Sequence, residues 1–129
     1  MILTIKTDQP EAELALFTGE TRVTELKWEA HRKLAETIHT QINQILNGQK
    51  LSLKDIEGIV CFKGPGSFTG LRIGLSVGNA LAYGLDVPVV SKIGDDWQTE
   101  GIACIINGEN EVSAIPEYGA EPHITKPRK

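Results

Sequence analysis

A glycine-rich loop lies between an apparent strand and an apparent helix, in the sequence KGPGSFTG at residues 63–70. Nucleotide-binding proteins hold phosphate at such loops, because the backbone N–H groups at a helix start attract anions. The spacing fits neither standard template: no lysine follows Gly70 as in a Walker loop, and the glycines are spaced GxGxxxG rather than GxGxxG. We therefore favour a tight turn over a phosphate site. The residues that could still lie near an anion or nucleotide are Gly66, Ser67, Thr69 and Arg72.

Histidine and cysteine, the usual ligands of zinc, are few and widely spaced. His31 and His39 fall on one predicted helix without the HxxxH or HExxH spacing of a metal site. His123 lies near the C-terminus, and Cys61 and Cys104 are too few for a disulfide framework. The sequence therefore predicts no metal site, and it predicts a buried, reduced Cys61 in a cytoplasmic protein.

Carboxylates and Ser67 give little support for catalysis. Asp95 and Asp96 are adjacent, and Glu109 and Glu111 are close, but both pairs fall in apparent loops where charged side chains are usually solvated. Ser67 lies in GPGSFTG, which is not the GxSxG turn of hydrolases. The sequence therefore predicts no catalytic residue.

The hydrophobic pattern predicts the elements that would position these residues. Residues 1–28 contain the segments MILTIK, EAELALF and RVTELKW, which indicate three antiparallel strands. Apolar residues then recur at three- and four-residue intervals over 28–46, which predicts a helix. A buried strand at 59–62, a second long helix after the glycine loop and a strand at 86–93 follow. The order βββαβαβ predicts an α/β fold with a mixed sheet and two long helices.

Length and composition set limits on the domain organisation. The chain has 129 residues, which is typical of one domain. We predict a main domain at 1–93, a loop with a C-terminal hairpin at 94–116, and an extended or disordered basic tail at 117–129. The net charge of −4 gives no support for a nucleic-acid or membrane surface. No apolar run reaches the ~18 residues of a membrane span.

The stretch GPGSFTGLRIGLSVGNALAYGLDVPVV closely resembles the signature of the bacterial TsaB (YeaZ) family. The resemblance is specific over residues 58–91 and weaker over 1–57. It implies the actin-like (ASKHA), ribonuclease H-like fold, of which this chain would keep only the N-terminal half. It also implies a non-catalytic role in making the threonylcarbamoyl modification of adenosine 37 in tRNA.

The same resemblance implies the partners of the protein. It implies a TsaD-type catalytic subunit as the main partner, a TsaE-type ATPase as a further candidate, indirect contact with tRNA, and a homodimer in isolation. No membrane partner and no intrinsic cofactor are expected, whereas ATP or ADP and metal are expected on the partner subunits. One departure matters, because the opening strand of the family usually ends in an aspartate that actin-like ATPases use near metal and phosphate. That residue is Lys6 here, and Asp8 lies two positions on.

Three glycines inside the second predicted helix need a physical reason, since each costs ~1 kcal/mol relative to alanine. Gly70, Gly74 and Gly78 recur every four residues and form one smooth stripe that another backbone could approach. We predict that a neighbouring helix faces this stripe, in a two-helix layer that pairs with the same layer of a second molecule. The resemblance implies such pairing, because family members dimerise through these two helices. The predicted interface residues are Ala35, Ile38, Ile42, Gly70, Leu71, Gly74, Gly78 and Ala82.

Two other function classes stay open on the sequence alone. One is an enzyme, a vestigial actin-like kinase or ATPase, although Lys6 and the missing Walker lysine argue against independent ATP hydrolysis. The other is a homodimeric interaction module of another complex.

Overall fold

The polypeptide forms a five-stranded sheet with helices on both faces in a computed structural model that describes residues 1–66 and 68–111. Two 3-10 turns, His31–Lys33 and Leu53–Asp55, precede the first helix and the fourth strand. The predicted order βββαβαβ is confirmed, and one further helix follows it. The elements are β1 (Ile2–Lys6), β2 (Glu11–Thr18), β3 (Thr21–Glu29), α1 (Leu34–Gly48), β4 (Gly58–Phe62), α2 (Phe68–Leu85), β5 (Val89–Lys92) and α3 (Trp97–Ile106).

The order of strands across the sheet is β3-β2-β1-β4-β5. β1, β2 and β3 pair antiparallel because short turns connect them, and Gly19 at φ +58° supplies the left-handed residue of the second turn. β1 pairs parallel with β4, and β4 with β5, because α1 and α2 carry the chain back between them. The carboxyl ends of β1 and β4 therefore meet at one edge of the sheet, where α/β proteins usually bind ligands.

Each face of the sheet has its own apolar core, because alternate strand residues point to opposite sides. α1 and α2 cover one face, which includes Leu3, Ile5, Leu14, Leu16, Ile59, Cys61 and Val89. α3 covers the other face, which includes Ile2, Ala15, Phe17, Val60, Phe62 and Val90. None of the helices within the described ranges has the length and apolar character needed to cross a membrane.

The first helix ends two residues after the predicted helical pattern of 28–46, and a lysine rather than a glycine takes the left-handed position. α1 extends through Gly48, and Lys50 follows with φ +58°. The N–H of Leu51 donates to the carbonyl of Leu46, and the N–H of Lys50 donates to that of Asn47. These bonds satisfy carbonyl groups that the helix end would otherwise leave without donors.

The prediction of a loop and a hairpin over 94–116 is wrong for the first part of this range, because residues 97–106, which include the apolar run IACII, form α3. Trp97, Gly101 and Ile102 are its buried residues, which is the spacing of one helical face. Short apolar runs fit a strand and a buried helix equally well, so the pattern of IACII alone did not decide. The second strand of the predicted hairpin from residue 112 onward, and the predicted tail at 117–129, lie outside the described residues.

Candidate functional site

A cavity of about 420 Å³ opens at the carboxyl end of β1, between the starts of α1 and α2. Its polar lining comprises Thr7, Asp8, Gln9, Arg32 and Thr69. It corresponds to the place where the sheet topology favours a ligand. Asp8 supplies the one carboxylate of this lining, so the chemistry of the cavity depends on which groups bond to it.

Lys6 engages that carboxylate directly. The Lys6 Nζ lies 2.6 Å from Asp8 Oδ1, and Asp8 is only 8% exposed. The Gln9 Nε2 donates to the other carboxylate oxygen at 3.4 Å. The Lys6 ammonium also lies 4.7 Å from the ring centre of Phe62, which adds a cation–π contact. Lys6 is the last residue of β1 and Asp8 lies in the segment that follows, so their contact depends on how the chain turns after β1.

The actin-like fold implies a nucleotide with a divalent cation at this edge, and the residues present do not fit that cation. A divalent ion of this kind requires free carboxylate or carbonyl oxygens, whereas an internal ammonium neutralises Asp8. Among the residues that the structure describes, no three His, Cys, Asp or Glu side chains cluster as metal ligands do. We therefore derive no reaction step through a metal or a nucleotide at this site.

The structure separates Arg72 from Gly66 and Thr69, which were predicted with it to lie near an anion. Gly66 packs against Asp8, since a Cβ added there would lie 2.6 Å from the Asp8 Cβ. Thr69 lines the cavity. Arg72 is exposed and lines a different depression, between α1 and α2, while Ser67 lies outside the described residues. Anion binding at this loop therefore stays a prediction, with Arg72 away from the cavity.

Gly74 and Gly78 of the glycine stripe pack against the segment after β1 and against β4, and Gly70 lines the cavity, so the prediction that a neighbouring helix packs against the stripe is wrong. A Cβ at Gly74 would collide with the Thr7 hydroxyl of the segment after β1, and one at Gly78 with the Cys61 sulfur of β4. The Thr7 hydroxyl donates to the Gly70 carbonyl at 2.7 Å, which holds the two elements together. Small residues are needed here because α2 lies so close to the strands.

Four other predicted interface residues are also internal. Ile38, Ile42, Leu71 and Ala82 are at most 4% exposed and belong to the cores on the two faces of the sheet. These side chains lie on the inward sides of the two helices, so they have no exposed surface that a partner could contact. Among the predicted interface residues, Ala35 is exposed.

The outward side of α1 and α2 forms a different, shallow groove of about 380 Å³. Ile73, Ser76 and Val77 line it from α2, and Ala35 and His39 from α1. Ala80 and Tyr83 continue the same stripe along α2, and Tyr83 is 91% exposed. We call these seven residues the outer helix surface, and Arg72 lines the same groove beside them. Sequence reasoning missed it by assigning the glycines, rather than the residues between them, to the interface.

The outer helix surface belongs to helices that carry little charge. Within α1 and α2, Glu36 and Arg72 are the only Asp, Glu, Lys or Arg residues, although 23% of the chain is charged. Exposed helices of soluble proteins normally carry charged residues on their solvent side. Depletion of charge together with exposed aromatic and aliphatic side chains is typical of the centre of a protein interface.

The pKa values of Cys61 in β4 and Lys92 in β5 are raised. Burial, with a smaller effect of Glu111, raises the pKa of the Cys61 thiol to about 12, so this thiol stays protonated. A hydrogen bond with Cys104 is the main cause that raises the pKa of Lys92, at the far end of β5. Neither group lines the cavity.

The sequence comparisons match this chain to proteins named for tRNA threonylcarbamoyladenosine biosynthesis and to tRNA N6-adenosine threonylcarbamoyltransferases. Residues 28–91 match the family model described as TsaD, tRNA N6-adenosine threonylcarbamoyltransferase. The tRNA threonylcarbamoyladenosine biosynthesis protein TsaB of Haemophilus influenzae is 32% identical over 116 residues, which cover 88% of this chain and 48% of that protein. The tRNA N6-adenosine threonylcarbamoyltransferase of Geotalea daltonii is 46% identical over 61 residues, which cover 47% of this chain and 18% of that protein.

The solved structure of YeaZ from Pseudomonas aeruginosa has the same fold. The two chains superpose with a TM-score of 0.65 and 25% identity, over 71% of this chain and 43% of that chain. The predicted α/β half-domain of the actin-like, ribonuclease H-like type is thereby confirmed. The chain spans about half or less of the length of the curated relatives that it matches.

Proposed function

Because the chain belongs to the TsaB (YeaZ) family, we propose that it is a non-catalytic subunit of the complex that makes N6-threonylcarbamoyladenosine in tRNA. It acts in the cytoplasm by pairing with a TsaD-type catalytic subunit through the outer helix surface. ATP or ADP and metal are held by the partner subunits. A TsaE-type ATPase and tRNA join the assembled complex, and tRNA does so without needing contact with this chain.

The outer helix surface is the observation that carries this proposal. It joins Ile73, Val77 and the exposed Tyr83 on helices that carry one acidic and one basic residue, so its burial would remove mainly apolar area from water, with Arg72 the one charged residue that lines the same groove. Exposure of such a surface does not stabilise a monomer. Covering it with a partner would stabilise the complex.

The similarity to TsaD supports the choice of a TsaD-type subunit as the partner. The matched residues, 28–91, contain both α1 and α2. A TsaD-type subunit therefore has a two-helix layer built on a related sequence, and two related layers can pair about an approximate two-fold axis. The same geometry allows two copies of this chain to pair when no partner is present.

The non-catalytic role is supported by the Lys6–Asp8 ion pair. An ATPase of this fold needs a carboxylate free to act near metal and phosphate, and here an ammonium 2.6 Å away neutralises Asp8. The alternative of a vestigial kinase or ATPase is correspondingly disfavoured. If the isolated chain hydrolysed ATP faster than a Lys6→Ala variant, the enzyme alternative would replace the proposal.

A charge placed on the outer helix surface tests the proposal. Ser76 is exposed in the middle of the groove, so Ser76→Glu leaves the core untouched and introduces a carboxylate that pairing must desolvate. We expect the dissociation constant for the TsaD-type subunit of the same organism to rise at least ~10-fold, which corresponds to ~1.4 kcal/mol. Titration calorimetry measures it, and formation of the modified nucleoside in a reconstituted system should fall in parallel.

Thr99→Glu supplies the matched control. Thr99 is exposed on α3, on the opposite face of the sheet, so the same charge there should leave the affinity unchanged. Equal affinities of the Ser76→Glu variant and the parent chain would refute pairing through this surface. A parent chain that forms a tight homodimer but does not bind the TsaD-type subunit would favour the interaction module of another complex.

A further inference from the structure

β5 is an edge strand of the sheet and has four residues. Its two faces are already covered, since Val89 and Val90 are 1% exposed and Ser91 is 2% exposed. The side of β5 that faces away from β4 is the edge of the sheet, where an unpaired strand offers N–H and C=O groups to any other strand that approaches. The groups that occupy this edge therefore decide whether the sheet can grow.

Two residues that follow α3 occupy the edge of β5. The Val89 N–H donates to Asn110 Oδ1 at 3.1 Å, and the Glu111 N–H donates to the Val89 carbonyl at 2.8 Å. The Glu111 carboxylate accepts from the Ser91 N–H at 3.0 Å and from the Ser91 hydroxyl at 2.8 Å. Side-chain oxygens thus take the places that carbonyl groups of an added strand would fill.

The turn after α3 brings these two residues to the edge. The Asn107 N–H donates to the Ala103 carbonyl, Gly108 adopts φ +87°, and the Glu109 N–H donates to the Cys104 carbonyl. The chain therefore reverses at the end of α3 and reaches β5 at Val89. One backbone bond and three side-chain bonds join the two residues to β5, and alanine substitutions remove the three side-chain bonds without touching either core.

We propose that Asn110 and Glu111 form an edge cap that keeps β5 closed, and that its loss lets β5 pair antiparallel with β5 of a second copy of this chain. A second copy is the occupant because two identical edges related by a two-fold axis can satisfy each other's N–H and C=O groups. With the cap removed, the polar groups of Ser91 lose their partners inside an almost fully buried residue, which favours any strand that supplies oxygens. This surface lies on a different element from the outer helix surface.

The test uses Asn110→Ala/Glu111→Ala in a chain that also carries Ser76→Glu, so that pairing through the helices does not contribute. Sedimentation should show a dimer at a concentration at least ten times lower than for the chain carrying Ser76→Glu alone. Exchange of the Val89 and Ser91 amide hydrogens should become faster at low concentration and slower again as the dimer forms. Glu109→Ala removes a neighbouring carboxylate whose side chain makes no bond to β5 in the structure, and should change neither measurement.

An unchanged monomer with unchanged exchange at Val89 and Ser91 would overturn the edge cap. If the double variant does not fold, Glu111→Gln decides the matter in the same background. It keeps the side-chain shape but leaves one acceptor oxygen for the two donors of Ser91. Faster exchange of the Ser91 amide supports the cap, and exchange equal to that of the chain carrying Ser76→Glu alone refutes it. Because pairing through the helices is switched off in every arm, these outcomes are independent of the proposed function.

Discussion

At the residue scale, Gly74 and Gly78 are positions where α2 nearly touches the strands beneath it. Gly74→Ala places a methyl group against the Thr7 hydroxyl, and Gly78→Ala places one against the Cys61 sulfur. We expect each change to lower the free energy of unfolding by ~1–3 kcal/mol, the usual cost of overpacking, despite the better helix propensity of alanine. Urea denaturation measures it.

Gly84 provides the control for these substitutions, because it lies on the same helix with nothing within 4 Å of an added Cβ. Gly84→Ala should therefore be neutral or stabilise by somewhat under ~1 kcal/mol. A Gly74→Ala protein as stable as Gly84→Ala would show that α2 does not lie as close to the sheet as described.

The candidate site could be predicted only in part from the sequence. Lys6 stands out because it replaces the expected aspartate, but the ion pair with Asp8 depends on how the chain turns after β1. A stripe of glycines indicates that another part of the molecule or a partner lies close to the helix, but it does not identify the segment that makes the contact. The outer helix surface lies between the glycines, and it becomes visible only when the inward side of α2 is known.

At the element scale, the C-terminal end of α1 has a residue type that its conformation disfavours. Lys50 is exposed and adopts φ +58°, where a side chain with a Cβ is strained by ~1–2 kcal/mol and glycine is not. Lys50→Gly should raise the free energy of unfolding by up to ~1 kcal/mol, since greater freedom of glycine in the unfolded chain offsets part of the gain. Thermal and urea unfolding measure it. Gln49→Gly, one residue earlier at φ −107°, should destabilise the protein, and a Lys50→Gly protein that behaved likewise would contradict the assignment.

The sequence predicted the long elements with a regular apolar pattern, but it did not predict the short helix α3. α1 repeats its apolar residues over four turns, and the strands of the antiparallel meander alternate or are bounded by turn residues. α3 has ten residues and an apolar sequence that fits a strand as well as a helix. It is helical because Gly101 lets it lie against Val60, a tertiary contact that local sequence does not reveal.

At the scale of the whole molecule, the placement of charge predicts how partner binding responds to salt. The chain has a net charge of −4, yet its outer helix surface lies on helices with only Glu36 and Arg72. Pairing through that surface should therefore depend on apolar burial more than on ion pairs. We expect the dissociation constant for the TsaD-type subunit to change less than ~3-fold between about 50 and 500 mM sodium chloride, measured by calorimetry. A tenfold weakening would place charged residues, either Arg72 in the groove or others outside α1 and α2, at the centre of the interface.

The central position of β1 has a consequence for how the molecule acquires its fold. Its hydrogen bonds to β2 close over a short turn, whereas those to β4 close over a stretch that contains β2, β3 and α1. Local pairing forms faster than pairing between distant segments, because less loop entropy is lost. As the chain leaves the ribosome, the meander of β1, β2 and β3 can therefore assemble first, with the β4 side of β1 unpaired. Synthesis of β4 closes that side, so the interval between the two events is when the nascent chain is most exposed to misassembly.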